Sequence, residues 1–120
     1  MTQEEEKLLL KDLCARLPYG VKINIWNDYT LTMEDKELSA YHLVAASYDF
    51  EYRKLRPYLR PLSSMTEEEK EELLDISSLI SSIELSKKLG DLLLSHHLDF
   101  RGLIPMGLAL EAPEGMYKIE

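Results

Sequence analysis

Apolar side chains recur at intervals of three and four from Leu9 to Leu17, alternate from Val21, and return to helical spacing beyond Thr66. These changes of period divide the chain. Leu9, Leu10, Leu13, Cys14 and Leu17 predict the inward stripe of a helix starting at about Gln3. Thr2 and Glu5 stand three apart, as a capping box requires, and Glu4, Glu5 and Glu6 suit the positive end of the helix dipole. Pro18 and Gly20 end the segment. Val21, Ile23 and Ile25 then alternate with Lys22 and Asn24, which sets the branched residues on one face of a strand. Asn27-Asp28 predicts a turn, and Tyr29, Leu31 and Met33 alternate with Thr30 and Thr32 as a second strand. Glu34 to Glu37 reads as a polar tip, and Leu38 to Ala46 as a returning third strand whose alanines leave a helix open. A hairpin alone leaves one apolar face wet, and the first helix is its natural cover.

Between Tyr52 and Pro61, Pro57 and Pro61 bias their predecessors toward extended geometry, so this stretch reads as an ordered connector. Thr66 and Glu69 repeat the capping box. Leu73, Ile76, Ile80 and Ile83, then Leu85, Leu89, Leu92, Leu93 and His96, keep helical spacing to about His97. The run fits one bent helix or two, with a break near Ser82; Gly90 costs it about 1 kcal/mol relative to alanine. Gly102, Pro105, Gly107, Pro113 and Gly115 keep the tail irregular apart from a short strand at Leu108 to Leu110. The pattern therefore predicts an α+β fold in a single domain, 1–120. An N-terminal helix packs on a small antiparallel hairpin or three-stranded meander, followed by a helical region at about 66–97 and an irregular tail.

Composition narrows the setting. At 120 residues, 45% hydrophobic and 30% charged, the chain has the balance of one globular domain. No apolar run approaches the roughly 20 residues that cross a bilayer, so no membrane association is expected. The glutamates of Met1 to Glu6 occupy the place of a secretory signal's basic residues, which predicts a cytoplasmic protein. The lone Cys14 allows neither a disulfide within the chain nor a cysteine-based zinc site, and its neighbours Leu10, Leu13 and Leu17 predict a small buried hydrophobe. A net charge of −8 disfavours non-specific nucleic-acid binding while leaving room for a local basic site.

Two stretches carry candidate chemistry. His96, His97, Asp99 and Arg101 bring imidazole, carboxylate and guanidinium within six residues, the groups of acid-base or metal chemistry. Adjacent histidines point about 100° apart on a helix, however, and His42 is the one other histidine. The commoner role is to end the helix and meet its last carbonyls, with Asp99 and Arg101 as a local pair. Tyr52, Arg53, Lys54, Arg56, Tyr58 and Arg60 join four positive charges to two aromatics, a composition that grips phosphate and stacks on single-stranded bases. The simpler expectation pairs these cations with the acids of Glu4 to Glu6 and Glu67 to Glu69. The run Glu67 to Glu72 reads as a solvated first turn before it reads as a phosphate mimic. Trp26, Tyr29, Tyr41 and Tyr48 are of a kind enriched at interfaces and just as often used as core or edge cover. No nucleophile elbow or glycine-rich phosphate loop occurs, and the sequence nominates no catalytic residue, metal site or cofactor.

Three segments, Lys11 to Val21 (KDLCARLPYGV), Leu55 to Glu72 (LRPYLRPLSSMTEEEKEE) and Leu98 to Tyr117 (LDFRGLIPMGLALEAPEGMY), resemble a family of short uncharacterised bacterial proteins found among phage-like and mobile genetic elements of gut bacteria. They cover somewhat under half of the chain, whereas Ile25 to Tyr52 and Leu73 to His97 depart from the pattern. The resemblance assigns no activity; it implies a bacterial, cytoplasmic protein with an accessory role in such an element. The leading expectation is thus a non-enzymatic interaction domain that meets a protein partner, or a second copy of itself, through the hairpin edge or the aromatic connector. Single-stranded nucleic-acid binding through 52–61 and an enzyme using His96, His97 and Asp99 are the alternatives.

Overall fold

In a computed structural model, residues 1–48, 50–77 and 82–117 are described, apart from the side chains of 47, 48, 77 and 82–85. The capping box at the first helix forms as predicted. Thr2 Oγ1 accepts from the Glu5 amide and Glu5 Oε1 from the Thr2 amide, and α1 runs Gln3–Arg16. A 3-10 turn, Leu17–Tyr19, ends at Gly20, whose left-handed φ of 70° swings the chain into the sheet. β1 (Lys22–Asn27) pairs antiparallel with β2 (Thr32–Glu37); α2 (Ala40–Tyr48) and the short α3 (Phe50–Arg53) follow. β3 (Arg56–Leu59) returns antiparallel on the other side of β1, and a 3-10 turn, Leu62–Ser64, leads to α4 (Glu67–Ser77) and α5 (Ser82–Ser95). β4 (Leu110–Glu111) closes the sheet parallel to β3, giving the order β2-β1-β3-β4. The protein is α+β, with five helices and a four-stranded mixed sheet among the described residues.

One face of the sheet is the core. Val21, Ile23 and Ile25 beside Leu55 and Leu59 are covered by Leu9 and Leu13 of α1, Ala46 of α2, Phe50 of α3, and Leu103 and Leu108 of the tail. No helix of the described residues is long and apolar enough to cross a membrane.

Four expectations are corrected. The second strand does not start at Tyr29. Asn27 Oδ1 accepts from the amides of Tyr29 and Thr30, which shapes a four-residue loop, Asp28 to Leu31, and delays the strand to Thr32. Glu34 to Glu37, expected as a polar tip, therefore belongs to β2, where an edge position leaves charged side chains in water. Leu38 to Ala46 contributes no third strand. Ser39 and His42 cap each other, with the Ser39 amide donating to His42 Nδ1 at 3.0 Å, and the alanine-rich stretch becomes α2. The connector holds β3, an inner strand. Pro57 is tolerated there because β4 begins opposite Tyr58, one residue on, so the missing amide falls where no strand needs it.

The fourth correction concerns α1. Cys14 is exposed, and the buried positions are Leu9, Asp12, Leu13 and Arg16. A salt-bridged pair occupies places that an apolar stripe would have filled, turning the helix so that Cys14 faces solvent. In the helical region α4 and α5 are separate; the expected break near Ser82 falls on 78–81, which lie outside the described residues.

Candidate functional site

The stretch from His96 to Arg101 is taken apart by the fold. α5 ends in a Schellman motif: the Leu98 amide donates to the Leu93 carbonyl at 3.0 Å and the His97 amide to that of Leu94 at 3.1 Å. His97 holds the left-handed position at φ 60°, where glycine is usual. Its ring stacks on Tyr117 with centroids 3.8 Å apart, and its Nδ1 is buried without a partner among the described residues. Burial, then the positive charges of Arg16 and Arg60, push its pKa down to about 4, so the imidazole is neutral. The Tyr117 hydroxyl accepts from the Lys22 amide and donates to the Tyr58 carbonyl, and burial lifts its pKa to about 12.

His96 turns elsewhere, its Nδ1 2.8 Å from Glu69 Oε2 and its Nε2 3.6 Å from Glu72. Asp99 accepts from the amides of Leu103 and Ile104 and so caps a turn of the tail. Arg101 donates to the fully buried Asp12, which also takes the Arg16 Nε–H at 2.7 Å. The four side chains thus face separate partners, and among the described residues no group of three or more His, Cys, Asp or Glu is placed to hold a metal ion.

The basic aromatic stretch is also divided. Arg60 is buried and forms a two-pronged pair with Glu69, Nη1 to Oε2 at 2.8 Å and Nη2 to Oε1 at 2.7 Å. It donates further to the carbonyls of His96 and Ser64. With Glu69 closing the second capping box on Thr66, this guanidinium ties β3 to the start of α4 and the end of α5. The Arg60 hydrogen bonds hold the Glu69 carboxyl down to about 2. Arg56 donates to the carbonyls of Gly107 and Leu55, and the Tyr58 hydroxyl to Asp35. Only the pairing of Arg60 with Glu69 follows the expected match of cations with helix-start acids.

Tyr52, Arg53 and Lys54 converge instead on the hairpin end. Asp28 accepts from Trp26 Nε1 at 3.0 Å and from the Tyr52 hydroxyl, and lies 3.4 Å from Arg53 Nη1. Lys54, itself left-handed at φ 51°, places its ammonium 5.5 Å from the centre of the Trp26 ring. Asn27 Nδ2 donates to Glu34 Oε2, and this bond lowers the Glu34 pKa. The loop is fixed from both sides. From this base Tyr29, 98% exposed, and Leu31, 69% exposed at φ 56°, project into solvent. Tyr41, 73% exposed, and Val44 continue the surface on α2. A cleft of about 430 Å³ between hairpin and helix is lined by Trp26, Asp28, Tyr29, Tyr41, His42 and Arg53.

For Trp26, Tyr29 and Tyr41 the sequence left an interface and core or edge cover equally open; the Tyr48 side chain lies outside the described residues. Leu31 and Val44 were missed, because alternation assigned Leu31 to a strand face and Val44 to a core run. Asn27 was the available signal, since an asparagine that caps its own loop lengthens it. The chain matches no protein-family model, and no curated protein or solved structure is significantly similar to it.

Proposed function

We propose that this chain is a non-enzymatic interaction domain whose contact surface is the end of the β1-β2 hairpin with the adjoining face of α2. One observation carries the reading: a loop fixed at its base by Asn27 and Asp28 presents Tyr29 almost wholly, and Leu31 for the greater part, to water. A leucine in left-handed backbone costs about 1–2 kcal/mol, and an exposed side chain returns none of it within the monomer. Rigid, exposed aromatic and aliphatic groups beside a cleft are the anchors that protein interfaces use. The resemblance of 11–21, 55–72 and 98–117 to mobile-element proteins supports an accessory role in a bacterial cytoplasm.

The test compares the wild-type protein with Tyr29→Ser and Leu31→Asn as baits in lysate of the native host, with captured proteins identified by mass spectrometry. A partner held by the wild type and released by both variants at unchanged fold is expected. Equal capture by all three, or no capture together with a monomer at high concentration, overturns the reading.

A further inference from the structure

We infer that β2 accepts a basic, extended segment of a protein partner as a fifth strand. The inference rests on the hairpin being the contact element, and it names the chemistry of what arrives there. The Leu38 amide donates to the Val21 carbonyl at 2.9 Å, and this fixes the parity of the ladder. Lys36, Glu34 and Thr32 then turn their backbone groups toward β1, whereas Met33, Asp35 and Glu37 turn theirs outward. Among the described residues nothing bonds to those outward groups. β2 is the sheet's edge, and Met33, Asp35 and Glu37 are exposed.

Charge selects the occupant. Glu34, Asp35 and Glu37 against Lys36 leave the edge with two negative charges. A second copy is repelled. Antiparallel self-pairing centred on Asp35 opposes that residue to itself, and centring one residue to either side sets Glu34 against Glu34 or Asp35 against Glu37. The same charges suit a strand that bears Lys or Arg at alternate positions, opposite Asp35 and Glu37. Asp35 retains Oδ2 for this, since Asn24 and Tyr58 both bond to Oδ1. Strand addition of this kind draws affinity from the backbone and selectivity from alternate side chains.

The probe is a short peptide of alternating lysine and valine, compared with a glutamate-valine counterpart and with a peptide of the same sequence and charge N-methylated on its lysine amides, which cannot donate to the ladder. Binding is read by NMR and amide hydrogen exchange on the full chain. The lysine-valine peptide is expected to protect the amides of Met33, Asp35 and Glu37, and Glu37→Lys to weaken it about fivefold, with Glu37→Gln intermediate. The other two peptides are expected not to bind. Absent binding, equal binding of the N-methylated peptide, protection away from β2, or a wild-type dimer joined along β2 overturns the inference. Tyr29→Ser separates it from the broader reading. A variant that loses the cellular partner yet binds the peptide as the wild type does leaves both intact, and retention of the partner removes only the broader reading.

Discussion

Both oxygens of Glu69 meet Arg60, and the carboxylate also takes the Thr66 amide and faces His96. Glu69→Gln removes one partner of a buried pair, which is expected to cost about 3–5 kcal/mol by urea unfolding at neutral pH. Because the carboxyl is lowered from 4.5 to about 2, its contribution is complete above pH 4.5 and fades as pH falls toward 2; the difference between wild type and variant should close over that window. His97 acts over a higher range. Its imidazole is lowered from 6.5 to about 4, so the unfolded chain takes up a proton first and stability falls as pH drops from 6.5 to 4. His97→Asn, which keeps a residue tolerant of left-handed backbone, should flatten that part of the pH-stability curve. Leu31→Asn should raise the melting temperature, by about 1 kcal/mol of stability, while losing the partner. A purely structural leucine would show the reverse.

At the scale of elements, the two capping boxes were legible because both partners lie within one turn, and Thr66→Ala is expected to cost about 1 kcal/mol in chemical denaturation. β1 was legible for a similar reason: Val21, Ile23 and Ile25 alternate over a sheet face that is apolar on one side only. β2 and β3 were not. The first is an edge strand whose charges carry no apolar alternation, and the second contains a proline that a lone sequence assigns to a connector. α2 stayed open between strand and helix because its hydrophobic run is short, where length and periodicity cannot separate the two. His96, His97, Asp99 and Arg101 are neighbours in sequence, but a Schellman turn aims consecutive residues at different elements.

For the whole molecule, the tail does what its composition does not suggest. Leu103 and Leu108 are in the core, Tyr117 spans Lys22 and Tyr58, and Ala112 bonds its amide to the Leu59 carbonyl. Truncation after Gly102 is therefore expected to abolish cooperative thermal unfolding rather than trim a loose end. Tyr117→Phe, which leaves the Lys22 amide unpaired where it is partly buried, should cost about 1–3 kcal/mol in urea unfolding.

By itself the sequence determined the α+β class, the capped helix starts and the first strand, because local periodicity and capping act within a turn or a few residues. Tertiary structure decided which polar side chains are buried. It also decided that Arg60 and Glu69, or Asp12 and Arg101, would find each other. Those outcomes depend on desolvation and on hydrogen bonds between residues distant in the chain, and no local pattern encodes such contacts.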